Sequence, residues 1–151
     1  MTATQQPDPF GAAAYRAKGP SGPRAGFWMR CWAILIDGVL IWLFAVLFAV
    51  IEPALYTPAF WIGGIAYYTL LEGGWTGQTL GRRLIGIRVI DLARGGPIGY
   101  PRAFVRTIGR VLSFFVFGLG YFWMLWDREK QTWHDKFAGS VVVPTSAYPV
   151  G

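Results

Sequence analysis

In the run "RCWAILID", residues 30–37, an arginine and an aspartate open a stretch that is otherwise apolar. Arg30 and Asp37 stand seven residues apart, so on a helix they share one face, with Ala33 between them. A face that reads charged, small, charged suits packing against another helix and not lipid. Arg30 at a membrane edge can reach headgroup phosphates at little cost. Asp37 lies deeper. An ionised carboxylate there costs about 2.5–3.5 kcal/mol on insertion scales unless a cation, a proton or water accompanies it. Two readings follow: an ion- or proton-binding carboxylate in a pathway, or a structural ion pair that fixes helix packing.

Five more titratable positions belong to the same question. Arg106 and Arg110 share a helical face and either partner Asp37 or snorkel to headgroups. Glu72 closes an apolar stretch and either pairs with a nearby arginine at the interface or serves as a ligand. His134 beside Asp135 either relays protons near neutral pH or forms a solvated interfacial pair. One cysteine, Cys31, excludes an intrachain disulfide and reads as a small buried residue, and one histidine excludes a multi-histidine metal site. "GWTGQTLGRR" has glycines but lacks the Lys-Ser/Thr of a phosphate loop. No Ser-His-Asp spacing, paired metal ligands or nucleic-acid surface appears. The expectation is therefore no enzyme, no cofactor, no metal and no nucleic acid.

The elements that must position these residues are apolar helices. Hydrophobic types make up 54% of the 151 residues and charged types only 15%, against about 25% in ordinary soluble domains, so the bilayer is the expected solvent. Residues 1–25, rich in Pro, Gly, Ala and Gln, read as a disordered cytoplasmic tail without a signal-peptide pattern. The first membrane segment runs from about Phe27 to Ile51, roughly 37 Å at 1.5 Å per residue. The second runs from about Ala59 to Leu71 and extends to Tyr56 and Glu72 to reach across. It carries Gly63, Gly64 and Ala66 where close packing wants small residues. "IGIRVID" gives a weak strand signal, so a short hairpin or an interfacial segment is expected there. A third apolar stretch, about Ala103 to Trp126, is interrupted at Gly118 and Gly120. It is either one span or a hairpin that folds back. "SVVV" before Pro144 is a second strand signal. Trp28, Trp32, Trp75, Trp123 and Trp126 fall near segment ends, as an aromatic belt does.

Charge sets the expected topology. Between Gly73 and Arg110 lie seven arginines and one acid, Asp91, whereas the first interhelical loop carries Glu52 and no base. The positive-inside rule places the N-terminus and the long basic loop in the cytoplasm. The net charge of +6 then points to anionic lipid headgroups as partners.

Four blocks in order, "RCWAILID", "TGQTLGRRLIGIRVID", "RAFVRTIGR" and "QTWHDKFAGSVVV", resemble the RDD family of bacterial integral membrane proteins, over about residues 26–143. The family is named for one arginine and two aspartates. These match Arg30, Asp37 and Asp135, and Thr76–Arg82 matches a further pattern imperfectly. The resemblance implies a membrane domain over 26–143, with 144–151 as a tail. It also implies transport of an unidentified ligand, cation/proton exchange in some members. A cytoplasmic Asp135 would let Arg30 bridge Asp37 on one side and Asp135 on the other. The expected protein is an all-α bundle of three to four transmembrane segments with a short cytoplasmic hairpin or interfacial loop, multi-pass in the bacterial inner membrane. Its expected role is monovalent cation/proton exchange through Asp37. The alternative is a non-transporting subunit, scaffold or assembly factor, as a homo-oligomer or in a larger complex. The loop arginines also allow a weaker, lipid-recruiting reading.

Overall fold

A computed structural model of the protein describes residues 22–150. Helix α1 spans Phe27–Ile51 and α2 spans Tyr56–Gly73, joined by a single 3₁₀ turn, Pro53–Leu55. Pro53 forces Glu52 into extended backbone, which ends α1. Then come α3 (Leu80–Ile85), β1 (Ile87–Asp91), α4 (Tyr100–Phe115), α5 (Leu119–Phe122) with a 3₁₀ turn at Trp123–Leu125, α6 (Trp133–Ala138) and β2 (Ser140–Pro144). The second segment thus takes its longer reading.

The buried residues of α1 are Arg30, Ala33, Asp37, Ile41 and Ala45, one stripe at three- to four-residue spacing. Against it pack Gly63 and Gly64 of α2, which face Phe44 and Ile41. The opposite side of the bundle is apolar and exposed, as at Leu35, Leu43, Leu47, Ile62 and Phe114. That is the inverse of a soluble surface and suits lipid. Among the described residues, α1 alone is long and apolar enough to cross a membrane unaided. The pair α4 and α5 makes a second span only if taken as one bent unit. By length and composition alone that is one or two spans, beside the three to four expected; α2 carries Glu72, and the arms of the third stretch are short or charged.

The third stretch is not a straight span. It bends by 113° after Phe115, where Phe117 and Gly118 both take positive φ. Gly118 enters that region freely, and the chain turns back toward α1.

The strand signals at "IRVID" and "SVVVP" are both strands. However, β1 does not form a local hairpin. It pairs antiparallel with β2, Val89 opposite Val142. Both are apolar enough for burial on each face, and all five residues of β1 are buried. Ala25, Ala33, Ile87, Val89, Ile98, Ala103 and Val142 form the core beneath the start of α1. Ala25 donates its amide to Val142 O at 2.9 Å, and Arg24 pairs with Glu129 at 2.6 Å. The ordered unit therefore begins before residue 26. The expected disorder of the preceding tail falls on residues 1–21, outside the described residues.

Candidate functional site

Five elements deliver charge to one buried spot. Glu72 comes from the last turn of α2, Arg82 from α3, Arg106 and Arg110 from α4, Asp135 from α6 and Arg30 from the first turn of α1. All six are buried, Glu72 and Asp135 completely.

Arg106 is the bridge. Its Nε donates to Asp135 Oδ1 at 2.8 Å, its Nη2 donates to the same oxygen, and its Nη1 donates to Glu72 Oε2. Glu72 also accepts from Arg110 Nη2 at 2.5 Å. Arg82 Nη1 lies 2.8 Å from Glu72 Oε1, yet off the hydrogen-bond direction, so that contact is charge on charge. Arg110 also stacks 3.9 Å over the Tyr68 ring.

On the other side, Arg30 Nη1 donates to Asp135 Oδ2 at 2.7 Å. Its remaining nitrogens bond to Lys130 O at 2.8 Å and Ala25 O at 3.3 Å. Asp135 is held in place by a capping box with Thr132 at the start of α6. Burial alone would raise the Asp135 carboxyl. Arg106 and Arg30 overcome it and hold the group well below the usual carboxylate range. Burial pushes the neighbouring His134 well below the usual imidazole range. Its Nδ1 has no hydrogen-bond partner, and its ring packs on Tyr121.

Asp37 stands apart from this network. Its Oδ1 accepts from Tyr67 OH at 2.7 Å and from the Gly81 amide at 2.8 Å, and its Oδ2 accepts from Thr79 OH at 2.6 Å. Tyr67 OH accepts from the Leu80 amide, and Thr79 OH caps α3 by accepting from the Arg82 amide. Each hydroxyl thus receives a backbone proton and gives its own to Asp37. The approach is close enough to require glycine: a Cβ on Gly81 would lie 2.3 Å from Ala33 O and 2.8 Å from Asp37 Oδ1.

The expected residues meet, but with other partners. Arg30 does not bridge Asp37, because each of its three nitrogens turns to Asp135 or to one of two carbonyls. Arg106 and Arg110 neither partner Asp37 nor snorkel; they face inward onto Glu72. His134 is not a solvated pair but a buried ring. Cys31 is half-buried. Sequence reasoning missed Arg82, Thr79, Gly81, Tyr67 and Tyr68. The signal was present in "TLGR", where a capping threonine precedes a glycine and an arginine, but nothing in it named Asp37 as the target. Among the described residues, no three His, Cys, Asp or Glu side chains gather to hold a metal ion.

An apolar-surfaced helical bundle, closed at one end by an arginine–carboxylate network, defines a membrane protein. The chain belongs to the RDD family, whose model matches residues 24–139. It is 30% identical over 86 residues to the proline-rich antigen homolog of Mycobacterium tuberculosis (strain ATCC 25618 / H37Rv), covering 55% of this chain and 36% of that protein. It is 31% identical over 87 residues to the proline-rich antigen of Mycobacterium leprae (strain TN), covering 56% and 35%. The chain thus spans about a third of the length of these curated relatives. Over 139 residues it is 27% identical to the uncharacterized membrane protein YteJ of Bacillus subtilis (strain 168), covering 82% of this chain and 83% of that protein. No solved structure matches it.

Proposed function

We propose that this chain is a multi-pass protein of the bacterial inner membrane that works as a non-transporting subunit or assembly scaffold. The observation that carries this reading is that its three buried site carboxylates are saturated. Asp37 accepts from two hydroxyls and an amide, Glu72 is clasped by Arg106 and Arg110, and Asp135 by Arg30 and Arg106. A cation entering at any of them would have to displace those donors, and at Glu72 or Asp135 it would also sit beside guanidiniums. The mycobacterial proline-rich antigens match over only about a third of their length, which supports a membrane block used within larger contexts. Anionic headgroups are the lipid partners that the basic loop favours.

A second reading, cation/proton exchange, draws on one observation: among the described residues, Asp37 has no guanidinium or ammonium partner.

Ion-driven proton flux separates the two. Purified protein in liposomes is tested under sodium, potassium and lithium gradients, beside Asp37→Asn at matched incorporation. The scaffold reading expects no flux above protein-free liposomes, and loss of folded protein in the variant. Wild-type flux that vanishes in a well-folded Asp37→Asn would establish the exchanger instead.

A further inference from the structure

The short helix α3 has two unlike faces. Its inward face is fixed to both carboxylates of the first two helices: the Gly81 amide and the capping Thr79 bond to Asp37 on α1, and Arg82 pairs with Glu72 on α2. Asp37 stands ten residues beyond Phe27, which at 1.5 Å per residue is about 15 Å along α1. Tyr67, whose hydroxyl accepts from the Leu80 amide at 3.0 Å, is more than one turn inside the end of α2 at Gly73. So α3 lies alongside these helices and not beyond their ends. The same stretch of α1 shows Trp32, Leu35 and Val39 on the apolar flank.

The outward face carries Leu80 and Leu84, four residues apart and therefore on one side of the helix. Leu84 is 75% exposed, and Trp75, just before the helix, is 65% exposed. Arg83 is exposed beside them and, among the described residues, has no carboxylate partner. The backbone at both ends is satisfied without water. The Leu80, Gly81 and Arg82 amides bond to Tyr67, Asp37 and Thr79, and the carbonyls of Arg82 and Arg83 accept from the Gly86 amide. A helix bordering hydrocarbon needs such closure. Leucines with an unpaired cation beside them match the boundary of a bilayer, with acyl chains on one side and phosphates on the other.

We propose that α3 seats the protein in the cytoplasmic leaflet, with Leu80 and Leu84 among the acyl chains and Arg83 on the lipid phosphates. This deepens the inner-membrane reading above, on which it rests, and is independent of the choice between scaffold and exchanger.

Depth is measurable. Leu84→Cys, in a Cys31→Ser background that leaves one thiol, is spin-labelled in nanodiscs of mixed phosphatidylglycerol and phosphatidylcholine. Relaxation by oxygen, which concentrates among acyl chains, is compared with relaxation by a water-soluble nickel chelate. Val39→Cys, on the flank of α1, is the reference in the same background. Both labels are expected to respond more to oxygen than to nickel. Adding Arg83→Glu is expected to shift the Leu84 label toward nickel and to leave the Val39 label unmoved; no shift overturns the place given to Arg83. Leu80→Cys supplies the same reading should Leu84→Cys fail to fold. A Leu84 label that responds to nickel, beside a Val39 label that responds to oxygen, overturns the proposal and leaves the membrane reading standing. Nickel response at both sites overturns the two together. A Leu84 label that neither reagent reaches would mean that protein covers this face, which also overturns the proposal.

Discussion

At the scale of single residues, the two aspartates that the sequence makes conspicuous have opposite surroundings. Asp135 is clasped by two arginines, and Asp37 is held by hydroxyls and one amide. Their neighbour His134 carries a pH signature. The unfolded chain protonates this imidazole near pH 6.5, whereas in the fold burial lowers its affinity for the proton well below that, with Asp135, Glu72, Arg106, Arg110 and Tyr121 around it. Below about pH 6.5 the unfolded state therefore binds more protons, and stability falls as the pH drops, by up to roughly 1.4 kcal/mol per pH unit. Asp135, with its depressed carboxyl, starts to lose its contribution only near pH 4, where the unfolded carboxyl titrates, and the loss continues down through the folded value, so it adds almost no slope between pH 7 and 5. Thermal unfolding in detergent should show a falling melting temperature over that range, and His134→Gln should flatten it. A wild-type curve that is already flat would mean that this ring is not buried neutral. The charged positions of the site on the apolar segments were legible in the sequence because charge is rare there, whereas Arg82 was not, because it stands in a loop rich in arginine. The hydroxyl donors were not: Tyr67 and Thr79 are ordinary residue types, 30 and 42 positions from Asp37, and nothing in their types marks that pairing.

At the scale of elements, the network is what fastens α6 to the helices. Arg106 spans from Asp135 on α6 to Glu72 on α2. A planar guanidinium does this with three nitrogens, and a lysine ammonium is a single point charge on a flexible stem. Removing the bridge takes one guanidinium from each of two buried carboxylates, leaving Asp135 with Arg30, and Glu72 with Arg82 and Arg110. Arg106→Ala is expected to cost about 3–5 kcal/mol, and Arg106→Lys to recover only part of it, read as melting temperature in detergent. Full recovery by lysine would show that charge alone, without the two-sided geometry, suffices. Helices α1 and α2 were legible to within a residue or two, because apolar length and flanking Pro or Gly mark their ends. The β1–β2 sheet was half legible. Each strand announces itself through β-branched residues, but its partner lies far along the chain, and local pattern carries no information about distant pairing.

At the scale of the whole molecule, both ends of the ordered chain gather at one pole of the bundle. Ala25 bonds to Val142, Arg24 to Glu129 and Arg30 to Asp135, so the residues entering α1 are knitted to those that follow α5. The 113° bend after Phe115 is what makes this possible. A straight third span would carry Asp135 to the far side of the membrane, roughly 30 Å from Arg30, and leave both groups unpaired. Arg82, Arg83, Arg88, Arg94 and Lys130 lie in the segments assembled at this pole, and a surplus of basic residues marks the cytoplasmic side. Reporter fusions after residue 151 test the arrangement. Green fluorescent protein there should fluoresce, and alkaline phosphatase there should be inactive. An active phosphatase at residue 151 beside a cytoplasmic N-terminus would place Arg30 and Asp135 on opposite faces, and the network could not exist. The third stretch would then be one span despite its two glycines.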